Sequence, residues 1–291
     1  MNIRKKLRFL KTKYPKIFSF YGPLTTRMVA KKYAKMDKRL DVCAAQVAFL
    51  LHETDKGLIK DKVCMEVGCG WLLTHSIIFY LLGAKKIIST DYTKLAEPEI
   101  ILDAINNSYI SSIRDILSPF EDHEILRERL EHIQSIKKWD HEILRKEFNI
   151  EYKAPIDLTI SKLAPVDFIF SLSVLEHVSS KDLPVLIKNF SEMTNVNGNQ
   201  FHFIHLEDHY ESVEDPFRFL GVADYTKKME FERGNRVRSS SYYKEFSKYN
   251  NTKIVYNWQR KKPLPDKIDA SIEFDNDEDL RTSHIGVWVK G

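Results

Sequence analysis

Cysteine is scarce in this chain: three in 291 residues, at Cys43, Cys64 and Cys69. So odd and sparse a set excludes a disulfide framework, its spacing excludes a CxxC zinc site, and it favours a reducing compartment. Clean hydrophobic runs are missing too. The longest stretch without Asp, Glu, Lys or Arg runs from Val67 to Ala84, which touches the length of a membrane span. Gly68, Gly70, Thr74, His75 and Ser76 interrupt it, and the expectation is a buried helix after a glycine turn. No apolar signal segment is read at the start, so a cytoplasmic location is expected. Repeats of fixed period are absent.

Acidic residues are missing from one region only. Residues 1–36 carry eleven Lys/Arg and no Asp or Glu. The other 255 residues hold 34 basic and 41 acidic groups, a net of −7 inside a total of +4. A mildly acidic body behind a basic arm is unlike a nucleic-acid binder, and no nucleic-acid partner is expected. Within the arm, Ile3, Leu7 and Leu10 recur at helical spacing. That predicts a short basic amphipathic helix over 2–10, placed at the inner face of an anionic membrane or against a partner protein. A solvated arm packed on the domain is the plainer alternative.

What is present is enough to fold. With 43% hydrophobic and 12% aromatic residues, the chain can bury a full core as one large domain. Residues 1–58 read as the basic arm and helices packing on the core, and 59–291 as the domain itself. Helices are predicted over 24–36 and 39–54. A buried strand at 62–67, a glycine turn, a helix at 71–82 and a strand at 86–91 form a βαβ unit, which demands a parallel sheet. Residues 96–148 show helical spacing in Ile100/Ile101/Ala104/Ile105 and Ile125/Leu126/Leu130/Ile133, and read as a helical insertion before a third strand, Ile150–Lys153. Val166–Leu172 is a fourth strand. A helix over 181–194, closed by Asn197-Gly198, leads to a fifth strand at 200–206. Irregular chain over 207–239, a helix at 240–249 and strands at 252–258 and 285–289 complete the reading.

The chemistry concentrates at Glu66-Val67-Gly68-Cys69-Gly70. Glycines at a strand end let the backbone turn sharply and approach a ligand. A dinucleotide fingerprint would need a third glycine at position 73, which is Leu73. An acid two residues before the first glycine, and a second acid, Asp91, at the tip of the next strand, point elsewhere. A carboxylate there accepts both hydroxyls of a ribose.

These residues, with the string from Val166 through Ser171-Leu172-Ser173-Val174-Leu175-Glu176-His177-Val178, make the chain resemble the class I S-adenosyl-L-methionine (SAM)-dependent methyltransferases. The resemblance covers roughly residues 60–206. It implies an α/β, Rossmann-like, seven-stranded and mostly parallel sheet with helices on both faces, an antiparallel last strand, and SAM as cofactor. By the same resemblance Glu66, Gly68, Cys69 and Gly70 would line the methionine portion. Asp91 would bind the ribose and Tyr92 would lie against the adenine. Ala154 and Pro155 would flank the ring, with Asp157 substituting for the family's adenine-binding Asp, and Leu172 and Ser173 would close the pocket. The family's third glycine is Leu72 here, so the methionine end is expected to be packed differently.

On the acceptor side, His205-Leu206-Glu207-Asp208-His209 ends the fifth strand. Alternation places His205 with Glu207 and Leu206 with Asp208, at the sheet edge that faces the ligand crevice in such folds. A histidine held by a carboxylate is a competent base, so His205, Asp208 and His209 are the expected catalytic residues, with His177 as a further base. For Glu176 and His177 three readings stay open: metal ligation, proton transfer and helix capping. No metal is assigned, a His/Asp metal site being the alternative. Asn235, Arg236 and Arg238 are expected to hold an acceptor's phosphate, carboxylate or hydroxyl, or else to tie the 207–239 loop to the body. This second region resembles, more faintly, methyltransferases of surface polysaccharides and sugars. The leading expectation is direct SN2 O-methylation of a sugar or glycan hydroxyl with a His/Asp general base, under a lid made by 96–148 and 207–250. A quinone, phenol, amine or other small-metabolite acceptor is the second reading. A catalytically inactive scaffold, suggested by the missing third glycine, is the third.

Overall fold

The computed structural model describes residues 39–106 and 110–291; the helices expected at 2–10 and 24–36 lie outside the described residues. The first element, α1 (Arg39–Glu53), buries Leu40, Cys43, Val47, Leu50 and Leu51, the three-and-four spacing of an amphipathic helix. Then come β1 (Val63–Val67), the glycine turn, α2 (Thr74–Leu81) and β2 (Lys86–Thr90). The insertion is helical as expected: α3 (Pro98–Asn106), α4 (Ile110–Leu117), α5 (His123–Ser135) and α6 (His141–Phe148). Asp122 and Asp140 start α5 and α6 by accepting first-turn N–H groups, which satisfies donors that have no partner within the helix.

After β3 (Ile150–Lys153) and β4 (Val166–Leu172), a 3₁₀ turn at Leu175–His177 and α7 (Leu183–Glu192) lead to β5 (Thr194–His205). Then follow α8 (Lys227–Arg233), α9 (Ser239–Phe246), β6 (Asn251–Gln259), the short α10 (Asp277–Leu280) and β7 (Thr282–Lys290). Asn197 and Gly198 do not close the preceding helix. They lie inside β5, with Asn197 at φ 63°, where the pairing with β4 shifts register; the turn residues make an irregularity in a strand that starts early.

The seven strands stand in the order β3-β2-β1-β4-β5-β7-β6. Strands β1 to β5 run parallel, and β7 is antiparallel to both neighbours. This is the sheet that the resemblance implies. Alternation along the strands feeds two cores. Cys64, Phe168, Phe170 and Phe201 pack with α1 and α2 on one face. Met65, Ile169, Ile204 and Val287 pack with α7 and α9 on the other. The insertion is not the lid that was expected. Ile113, Leu117, Leu126, Leu130, Ile133, Leu144 and Phe148 join the α1/α2 core, because each helix has a single apolar stripe that must be covered. Of the insertion, only α3 reaches the glycine turn, through Ile100 and Ala104 against Leu72 and Trp71. Among the described residues, no helix is long and apolar enough to cross a membrane.

Candidate active site

Strand order reverses between β1 and β4, and open α/β sheets bind ligands at that crevice. Directly above β1, the amides of Gly68 and Cys69 both donate to the Thr90 carbonyl, at 2.9 and 3.0 Å, folding the loop tightly onto β2. Gly68 (φ 73°) and Gly70 (φ 62°) occupy the left-handed region. Above Gly70, a Cβ would meet nothing within 4 Å among the described residues, so the turn leaves a bare backbone surface there. Beside it, Asp91 accepts the Gly70 amide at 2.9 Å through Oδ2 and the Thr93 amide at 2.9 Å through Oδ1. Each oxygen has one lone pair left for a hydroxyl. Burial holds the Asp91 carboxyl above its usual range, with a smaller push from Glu66, against the two amides that lower it. Tyr92 projects next to it, 67% exposed. Ala154 and Pro155 follow β3, the strand beside β2, and the Ile156 amide donates to the Asp91 carbonyl. Ser173, at φ 53° and exposed, ends β4. An open glycine cradle facing a carboxylate with two free acceptor sites fits an adenosyl ribose.

The side where an acceptor was expected is built from the ends of β4 and β5. Glu176, in the 3₁₀ turn, is 1% exposed, and burial pushes its carboxyl up to about 8. His209 Nε2 lies 3.9 Å from Glu176 Oε1; burial, then the neighbouring histidines, push its ring down to about 3. His205 Nε2 donates to Glu207 Oε2 at 3.3 Å, the pairing that alternation predicts. For Glu207, burial is outweighed by hydrogen bonds from His205, Ser283 and Arg260, and by the Arg260 charge, so its carboxyl sits at about 2. The imidazoles form a chain: His177 to His209 at 4.5 Å, His209 to His205 at 4.6 Å and His205 to His284 at 4.3 Å between ring centroids. His177 Nδ1 lies 2.7 Å from the Phe231 carbonyl. A carbonyl only accepts, so Nδ1 carries the proton and Nε2 keeps its lone pair.

The sheet order, the cradle over β1 and the acid at the tip of β2 settle the architecture. This is the Rossmann-like sheet that the class I methyltransferase resemblance implies. No family model matches the chain, and no curated protein matches it. Solved structures do. The magnesium protoporphyrin IX methyltransferase of Synechocystis PCC 6803, with bound SAH, shares 13% identity over 86% of this chain and 83% of its own, at a TM-score of 0.45. A coclaurine N-methyltransferase bound to N-methylheliamine and SAH shares 14% over 75% of this chain and 51% of its own, at 0.42. TehB from Haemophilus influenzae shares 16% over 85% and 60%, at 0.39.

Several expected site residues turn out to do other work within this fold. Glu66 shares its strand face with Cys64, toward α2, and its carboxylate accepts from the Ser76 amide and hydroxyl and from His75 Nδ1. It anchors the start of α2 from inside. Burial lowers the pKa of His75, but Cys43 and Glu66 outweigh it and carry the ring to about 10. Cys69 has its thiol in the α1/α2 core, so it reaches a ligand through its backbone alone. Leu72, in place of the third glycine, is buried against α3. Leu172 is half-buried against the α1/α2 core, and Asp157 caps its own turn at Thr159.

Asp208, expected as a catalytic residue, has structural partners instead. It is fully buried and held by Arg233, with the Tyr210 amide as a further donor. Asn235, Arg236 and Arg238, expected to hold an acceptor, tie the loop to the body, the alternative that the sequence offered. Asn235 bonds the carbonyls of Leu175 and Val178 and the Tyr242 hydroxyl. Arg236 is held by the Val222 carbonyl, Ser271, Asp269 and the Tyr225 ring. Arg238, 0% exposed, donates to the carbonyls of Leu206, Asp279, Leu280 and Thr282. Sequence reasoning missed Arg260 and His284. Both come from the segment after β6, and only the antiparallel pairing of β7 brings His284 opposite His205.

Proposed function

We propose that the protein is a SAM-dependent methyltransferase acting on a hydroxyl of a sugar or glycan. The observation that carries the reading is the bare backbone over Gly70 facing the Asp91 carboxylate. When bound there, SAM supplies a methyl on a sulfonium, whose C–S bond breaks as the acceptor oxygen takes the methyl. The chain's own task is to align that oxygen and receive its proton. His177 is the base in this reading. Its Nε2 lone pair is fixed by the Phe231 carbonyl on the other nitrogen, and burial lowers its pKa, which favours the neutral ring a base needs. The acceptor side favours a polyhydroxyl compound, because histidines and buried carboxyls there are satisfied by hydroxyl groups rather than by apolar surface. The basic residues of 1–36 serve to bring the protein to an anionic surface or a partner protein in this reading.

Calorimetry with SAM tests the donor side. The wild type binds, and Asp91→Ala loses at least about tenfold in affinity, the worth of one charge-assisted hydrogen bond. A wild type that binds no SAM ends the proposal. For the acceptor, a mass shift of one CH₂ on a candidate sugar, appearing only with SAM present, identifies it. A quinone or amine that shifts while sugars do not replaces the sugar with that compound.

A further inference from the structure

Two carboxylate oxygens and an imidazole nitrogen are left over at the acceptor crevice. Glu176 is buried, yet among the described residues neither of its oxygens has a hydrogen-bond partner, and His209 Nε2 is likewise buried and unpartnered among them. The Ser173 hydroxyl and the amides of Glu176 and His205 lie near enough to draw the Glu176 pKa down a little, but none makes a hydrogen bond of normal geometry. Buried polar groups in folded proteins are almost always satisfied. A carboxylate and an imidazole orphaned side by side mark a place where something else belongs.

We propose that Glu176, His205 and His209 form a site for one divalent transition-metal cation, with open positions for an oxygen of the acceptor. One ligand atom from each of the three lies within 4.8 Å of the others. Around a tetrahedral ion with bonds near 2.1 Å, ligands sit about 3.4 Å apart, so the side chains close in by about an ångström. Two imidazoles and one carboxylate suit zinc, iron(II) or cobalt(II) better than magnesium, which prefers oxygen ligands. His205 is already set for the task. Its Nε2–H donates to Glu207, which Arg260 holds at 2.9 and 3.0 Å, leaving Nδ1 as the nitrogen with a lone pair. A carboxylate behind a ligating histidine is the usual outer support of a metal site. This departs from the sequence expectation, which assigned no metal. The role toward an acceptor rests on the methyltransferase reading; cation binding does not.

The cation chemistry is simple. A hydroxyl that ligates the ion ionises more readily, as metal-bound water does, and its proton passes to His177. The methyl would then pass from the sulfonium to that negatively charged oxygen, the C–S bond breaking and the thioether leaving as the C–O bond forms.

The test titrates the full chain with cobalt(II) chloride and with zinc chloride, followed by calorimetry and, for cobalt, by visible absorption. The expected result is one ion per chain, with the absorption of a four- or five-coordinate cobalt(II). Glu176→Gln, which keeps the shape and removes the ligating carboxyl, His205→Gln and His209→Gln each abolish it, and Glu207→Gln weakens it by about 10- to 100-fold. SAM calorimetry on the same variants stays at the wild-type value and shows that they are folded. A wild type that takes up neither metal, or variants that bind as well as the wild type, overturns the site. Metal binding intact with SAM binding absent from the wild type overturns the methyltransferase reading alone.

Discussion

At Gly68 an added methyl would sit 2.2 Å from Val174 Cγ2, while at Gly70 it would meet nothing among the described residues. The two glycines therefore fail differently. Gly68→Ala combines overpacking with left-handed strain and is expected to cost about 2–4 kcal/mol of stability. Gly70→Ala carries only the strain, about 1–2 kcal/mol, but puts a methyl into the cradle and is expected to lower SAM affinity more than tenfold. Urea unfolding beside SAM calorimetry separates them. At Arg238 the expectation is the reverse of a substrate ligand. Arg238→Met strands four buried carbonyl groups and should cost about 3 kcal/mol or more, read by chemical denaturation, with little change in KM for any variant stable enough to assay. This role was not legible in the sequence. An arginine whose partners are carbonyls 32 to 44 positions away looks, in one dimension, like any arginine beside a helix. Glu66 is a contrasting case: period-two alternation already puts it on the inner face with Cys64, and the family motif alone suggested the cleft.

Among the elements, β5 carries a built-in sensitivity to acid. His202 bonds Ser171 of β4 at 2.8 Å and Gln200 at 3.1 Å, and stacks between Phe190 of α7 and Phe246 of α9. Burial pushes its pKa down to about 3, while in the unfolded chain it lies near 6.5. Between those values the unfolded state binds the extra proton. The stabilisation is therefore complete above about pH 6.5 and is lost as pH falls toward 3. From pH 7 to pH 5 the wild type should lose about 2 kcal/mol more than His202→Gln, measured by urea unfolding at each pH. Strands β3 and β4 and the glycine turn were readable because each is a contiguous run whose residues suffice to define it. The lid was not. Amphipathic helices announce that one face is covered, but not by what, and α4, α5 and α6 turned theirs onto the sheet core. Glu176 shows the same limit at the site. Its place after β4 was plain, but its want of a partner depends on β5 returning His205 and His209 beside it.

At the level of the whole molecule, donor and acceptor halves sit on opposite sides of the β1/β4 switch, and binding on either should tighten the entire sheet. Saturating SAM, at about 100 times its Kd, should add about 2.7 kcal/mol to the unfolding free energy. The matching rise in Tm for the wild type, and its loss in Asp91→Ala, can be followed by scanning calorimetry. A rise of equal size in both proteins would place the ligand elsewhere.

One contact ties the halves together. Val174 fills the hollow that Gly68 leaves empty, and Glu176 stands two residues further along the same loop. In the proposed reading, the floor under the methyl donor and the grip on its recipient are thus one piece of chain, so that a substitution at Val174 reaches both.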